Sequence, residues 1–163
     1  MEKLKIIGGN KLSGSITCSG AKNAALPMLA ATILSDKPII FKNLPYLQDI
    51  TTMFEILGSM GADITLNESM DFIISTSQLH DFEARYELVK TMRASILVLG
   101  SLVARHGFAR IALPGGCAIG TRPVDFHLDA LEKLGAKIEL KNGYIEASSK
   151  KLIGCEINFP GVS

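Results

Sequence analysis

Apolar positions change period repeatedly along the chain, and each change predicts an element. Residues 3–7 and 13–18 alternate as two short strands around a Gly8-Gly9-Asn10 turn. From Ala21 to Leu34, the positions Ala25, Met28, Leu29, Thr32 and Ile33 recur at helical spacing, with Pro27 early enough to be tolerated. A strand at 39–41 is closed by Asn43-Leu44-Pro45. A helix from about 48 to 60 follows, with Ile50, Met53, Phe54, Leu57 and Met60 inward and Gly61 as its stop. Strands at 63–66 and 72–75 flank a short polar hairpin.

The same order then begins again: a helix from about 86 to 105, a strand at 109–113, a glycine-rich loop, a helix at 124–134, and strands at 137–140 and 144–147. The residues repeat with it. Gly61-Ala62-Asp63-Ile64-Thr65-Leu66 matches Gly135-Ala136-Lys137-Ile138-Glu139-Leu140, Leu44-Pro45 matches Leu113-Pro114, and Asp49-Ile50 resembles Asp125-Phe126. This is an internal duplication. Pro45 to Gly61 spans 16 residues and Pro114 to Gly135 spans 21, so the second copy has gained five, all within 115–122. Additions to a rigid scaffold are where function tends to lie. A third copy begins at Cys155-Glu156-Ile157-Asn158-Phe159.

Composition narrows the class. A chain of 163 residues with 47% hydrophobic and 20% charged residues is long and apolar enough for a filled core in an α/β (α+β) arrangement. A formal charge of +1 gives no electrostatic case for nucleic acid or an anionic membrane as the main partner. Three scattered cysteines, Cys18, Cys117 and Cys155, fit a reducing compartment better than a disulfide framework or a zinc site. With no signal-peptide pattern at the N-terminus and no apolar run long enough to span a bilayer, the expected location is the cytoplasm. Cys18 and Cys155, in strand patterns, are expected in the core.

The loop at 113–123, Leu-Pro-Gly-Gly-Cys-Ala-Ile-Gly-Thr-Arg-Pro, holds the richest chemistry. Cys117 lies five residues from Arg122 and ahead of a helix start at Pro123, and both a cation and a helix N-terminus favour the thiolate. Cys117 is therefore the candidate reactive thiol. Gly115 and Gly120 have the spacing that opens a phosphate loop, but Thr121-Arg122 stands where lysine and a magnesium-binding hydroxyl are needed. Nucleotide triphosphate hydrolysis is excluded on that ground. Arg122 and free backbone amides still suit a phosphate or carboxylate. Lys22 and Arg93 fall at nearly corresponding places in the two copies, each at the start of a buried helix and flanked by small residues. Both are candidate anion ligands. Asp125 suits the positive end of its helix without any function, and His127 two residues on reads equally as a capping-region side chain.

Three stretches, 19–27 (Ser-Gly-Ala-Lys-Asn-Ala-Ala-Leu-Pro), 88–95 (Leu-Val-Lys-Thr-Met-Arg-Ala-Ser) and 113–125, together resemble the enolpyruvyl transferases that act on UDP-N-acetylglucosamine. The similarity runs along the whole chain. It implies the inverse α/β barrel of that family, made of repeated βαβαββ units. It implies transfer of the enolpyruvyl group of phosphoenolpyruvate to the 3′-hydroxyl of UDP-N-acetylglucosamine with release of phosphate, the committed step of peptidoglycan synthesis, with no metal or organic cofactor. By that resemblance Cys117 takes part in proton transfer or product release and is the site alkylated by fosfomycin. Lys22 and Arg122 match phosphoenolpyruvate ligands. Asn23, Arg93, Pro123, Val124, Asp125 and His127 match positions that contact or support the sugar nucleotide.

The family is more than twice this long, and its base aspartate lies in a part without a match here. The resemblance assigns 1–18 to strands of a second domain, 19–78 and 79–150 to two units and 151–163 to the start of a third. A piece of this kind is expected to be inactive alone and to associate with itself or with a complementary chain. The sister enzymes acting on shikimate 3-phosphate lack the cysteine loop. A different class of reading is a non-catalytic piece that binds sugar nucleotide or a complementary chain.

Overall fold

The computed structural model describes residues 3–90, 92–113 and 124–158. Its first unit comprises helix α1 (Lys22–Ala31) with a 3₁₀ extension (Thr32–Leu34), strand β1 (Ile39–Phe41), helix α2 (Gln48–Ser59), and strands β2 (Asp63–Leu66) and β3 (Phe72–Ser75). The second comprises β4 (Glu83–Ala84), α3 (Tyr86–Val89), a 3₁₀ turn (Arg93–Ile96), α4 (Leu97–His106), β5 (Phe108–Ala112), α5 (Asp125–Lys133), β6 (Lys137–Lys141) and β7 (Tyr144–Ser148).

The duplication in the residues is a duplication in topology. The first sheet has the order β1-β3-β2 and the second β4-β5-β7-β6, so β1, β3 and β2 correspond to β5, β7 and β6. All of these equivalent pairings are antiparallel, and β4 adds a parallel edge to β5. In the second sheet Ile111 and Ile145 face each other across the ladder and are both fully buried, while Arg110, Glu146 and Glu139 line up on the outer face. The β6–β7 turn uses Asn142 and Gly143, both at positive φ, as a two-residue hairpin requires. The buried sides of both sheets and of α1, α2 and α4 join in one apolar cluster that includes Leu29, Met53, Leu57, Ile74, Leu102 and Ile145.

The helix ends repeat as well. After α2 the Ala62 amide donates to the Leu57 carbonyl at 3.0 Å and the Gly61 amide to Gly58 at 3.0 Å. After α5 the Ala136 amide donates to Leu131 at 2.9 Å and the Gly135 amide to Glu132 at 2.9 Å. This pattern needs a left-handed residue after the cap, and Gly61 (φ 101°) and Gly135 (φ 95°) supply it. Arg105, on the last turn of α4, ties the units together. Its guanidinium donates to the carbonyls of Ile33 and Ser35, each at 2.6 Å, and pairs with Asp36.

Several sequence expectations change. Residues 3–18 form no strand, and Leu4, Ile6, Ile7, Leu12 and Ile16 are 80–93% exposed. Alternation marks a potential sheet face, but a strand also needs a neighbouring ladder, and none is offered to this segment among the described residues. Cys18 and Cys155 are exposed instead of buried for the same reason, since 151–158 forms no strand either. The expected helix at 86–105 is interrupted. Met92 is extended (φ −140°, ψ 108°), which carries its side chain into the core and starts a new helical segment at Arg93. The Ser95 hydroxyl closes that start on the Met92 carbonyl at 2.7 Å. Met28 is 49% exposed, whereas Leu26 takes the inward place. The short β4 carried no alternation long enough to be read.

Candidate substrate-binding site

Lys22 is the first residue of α1, and Asn23 the second; both are exposed. α1 has no side-chain cap, so its first amides and its positive end stay available beside the Lys22 ammonium. That ammonium is 2.7 Å from a carboxylate oxygen of Asp49, in the first turn of α2. The chain reaches Lys22 through a tight crossing. The Gly20 amide donates to the Asn43 carbonyl at 3.1 Å, and the Asn43 side-chain amide donates to the Cys18 carbonyl at 3.1 Å. A Cβ on Gly20 would lie 2.3 Å from the Asn43 oxygen, so only glycine fits there.

The second copy builds a matching corner. Arg93 opens the 3₁₀ turn that leads into α4, in the place Lys22 holds at α1. It is half-buried and engaged in contacts. Its charge reaches His127 on the first turn of α5. His127 is held below the usual imidazole range, first by loss of water around its ring and then by the Arg93 cation. Neutral imidazole is thus favoured beside a permanent positive charge. Val124 is buried at the N-cap of α5, and Asp125 is the exposed first helical residue, suited to that helix end. Cys117, Arg122 and Pro123 lie outside the described residues.

The structure therefore puts His127 within electrostatic reach of Arg93 and gives Lys22 a carboxylate partner. Asp49 is the residue that the sequence reading passed over, although its match with Asp125 across the duplication placed it at a helix start beside a candidate cation. Chemically, the Lys22 corner presents a cation at a helix start with no side-chain cap, a combination suited to phosphate or carboxylate groups, and the second corner presents the Arg93 cation. Among the described residues no three His, Cys, Asp or Glu side chains converge as a metal site, and no helix is long and apolar enough to cross a membrane.

Residues 6–163 match the profile of EPSP synthase (3-phosphoshikimate 1-carboxyvinyltransferase). The chain belongs to the EPSP synthase family. Within this family of enolpyruvyl transferases it is 57% identical, over 159 residues, to the UDP-N-acetylglucosamine 1-carboxyvinyltransferase of Coxiella burnetii (strain Dugway 5J108-111), covering 97% of this chain and 37% of that protein. It is 55% identical, over 157 residues, to the protein of the same name from Halorhodospira halophila, covering 96% and 38%. The chain thus spans well under half the length of these curated relatives. Among solved structures, the enolpyruvyl transferase NikO from Streptomyces tendae aligns with a TM-score of 0.74 at 26% identity, covering 92% of this chain and 33% of that one. EPSP synthase from Acinetobacter baumannii aligns with a TM-score of 0.69 at 17% identity and supports the fold alone.

Proposed function

We propose that this chain supplies one wall of a site where the enolpyruvyl group of phosphoenolpyruvate moves to the 3′-hydroxyl of UDP-N-acetylglucosamine. The observation that carries this reading is the 57% identity, over 97% of the chain, to relatives named for that transfer. In the proposed reaction the methylene carbon of phosphoenolpyruvate takes a proton while the sugar hydroxyl adds to the adjacent carbon and loses its own. Phosphate then leaves that carbon of the tetrahedral adduct as the methyl group gives up a proton. Lys22 and Arg122 hold the anionic groups of phosphoenolpyruvate, and Cys117 acts in proton transfer or product release. Asn23, Arg93, Pro123, Val124, Asp125 and His127 bind or frame the sugar nucleotide. Cations placed where phosphate and carboxylate charge shift stabilise both addition and elimination. The reaction belongs to peptidoglycan synthesis and takes place in the cytoplasm.

The chain covers 37% of its Coxiella burnetii relative, which favours a second element of the reading: alone it binds without turning over. Phosphate release from phosphoenolpyruvate and UDP-N-acetylglucosamine, measured on this chain and on a full-length relative, tests both parts. The relative is expected to release phosphate and this chain alone is not; equal rates would overturn the claim that one wall is insufficient. Mass spectrometry after fosfomycin tests the thiol separately. Among the described residues Cys18 and Cys155 are exposed cysteines, so accessibility alone would label them. Preferential labelling of Cys117 is expected, and uniform labelling of all three would count against its assigned role.

A further inference from the structure

The contacts around Lys22 form a pattern beyond any single ion pair. The connection from β1 and the first turn of α2 touch the chain entering α1 at alternate residues: the Asn43 side-chain amide donates to the Cys18 carbonyl, the Asn43 carbonyl accepts from the Gly20 amide, and Asp49 pairs with the Lys22 ammonium. Asn43 is in the left-handed region (φ 57°), which lets its backbone carbonyl and side chain both turn toward the same neighbouring segment. In the duplication this connection is the counterpart of the glycine loop, since Leu44-Pro45 matches Leu113-Pro114 and Asp49 matches Asp125.

We propose that Asn43 and Asp49 are positioning residues for the Lys22 site: Asn43 fixes the backbone that enters α1, and Asp49 holds the Lys22 ammonium at the helix start before any ligand arrives. A lysine side chain has four rotatable bonds, so a carboxylate that limits its wandering lowers the entropy lost when an anion binds. The arrangement deepens the function proposed above and rests on it for the identity of the anion, phosphoenolpyruvate. The grip itself is a property of the unliganded chain and can be read without ligand.

The test is competitive acetylation of the whole chain with trace acetic anhydride, the lysines compared by peptide mass spectrometry. Lys22 is half-exposed and paired, whereas Lys42 is largely exposed and lies 3.9 Å from Asp71. Asp49→Asn is expected to raise the labelling of Lys22 relative to Lys42 by about two- to fivefold, the size a surface ion pair supports. Asp49→Glu should bring it back toward the parent ratio. Asn43→Gly keeps the left-handed backbone while removing the side-chain donor, and should speed hydrogen exchange of the Gly20 amide with little change in unfolding midpoint. Unchanged Lys22 labelling in Asp49→Asn, or unchanged Gly20 exchange in Asn43→Gly, would overturn the proposal. Phosphoenolpyruvate added to the parent chain should protect Lys22 from acetylation. A failure of protection counts against the proposed ligand and leaves the ligand-free grip standing, so the two claims can fail separately.

Discussion

At the scale of single residues, the duplication provides paired sites at which one chemical change meets two surroundings. Gly61 and Gly135 end α2 and α5 with the same hydrogen bonds and similar positive φ, yet a Cβ at Gly61 would lie 2.3 Å from the His80 ring whereas one at Gly135 meets nothing within 4 Å. Gly135→Ala is expected to cost about 1–2 kcal/mol, the penalty of a left-handed alanine. Gly61→Ala should cost more, because His80 must also move. Urea unfolding midpoints of the two variants will rank them. The Arg93 and His127 corner gives a second residue-level prediction. Arg93→Gln removes the lesser of the two causes that lower the His127 pKa, so an NMR titration should show it rise only part of the way to its ordinary value. Because the folded state holds His127 below its unfolded range, the stabilisation from its neutral form is present above that range and is lost as pH falls from it through the lower folded-state value.

At the scale of elements, the outer face of the second sheet is joined by ion pairs from β4 to β6. Arg110 reaches Glu83 at 2.6 Å and Glu146 at 3.2 Å and lies over the Tyr144 ring; Lys141 joins Glu146 to Glu139, which Lys137 also contacts. Glu139 and Glu146 are directly opposite in the register, an unfavourable pairing that the intervening lysine offsets. Hydrogen bonds from Lys137 and Lys141 push the Glu139 pKa down to about 2. Its contribution to stability is therefore full above the ordinary carboxylate range and declines as pH falls from about 4.5 toward 2. A titration followed on the Glu139 side-chain carbon should report the low midpoint, and Lys141→Ala should raise it.

Elements also show what could be read from residue order alone. The inward face of α2 and the existence of β3 and β7 were legible because periodicity and burial have one cause. The break before Arg93 was not, since the apolar run at 94–104 suits one long helix as well as two short ones, and only tertiary burial of Met92 decides between them. Residues 3–18 failed in the opposite way, with a clear alternation that finds no ladder among the described residues. At the site, the cations were legible from their small neighbours and their place in the duplication. The Asp49 and Asn43 contacts depend on two segments crossing in space, and residue spacing does not report such a crossing.

At the scale of the whole molecule, the two units act together through the shared core and through Arg105. Its side chain is 17% exposed, and two of its hydrogen bonds go to carbonyls at the end of the first unit's 3₁₀ turn. Arg105→Met preserves much of the aliphatic stem while leaving those carbonyls without the guanidinium. Charge-assisted hydrogen bonds of this kind support a loss of about 1.5–3 kcal/mol. The loss should appear as one cooperative transition at lower denaturant in both circular dichroism and tyrosine fluorescence; two separated transitions would show that the units unfold independently.

The outer faces of the two sheets carry a further consequence. Where the second sheet places Arg110, Glu146 and Glu139 in register, the first places Ile40, Ile73 and Thr65. Dissolved sodium chloride screens the charged ladder, whereas sulfate strengthens apolar burial by its exclusion from the surface. Hydrogen exchange at matched positions of β3 and β7 should therefore respond differently to the two salts, with chloride loosening β7 first and sulfate favouring β3. Ionic composition becomes a means of setting the relative rigidity of two halves that descend from one sequence.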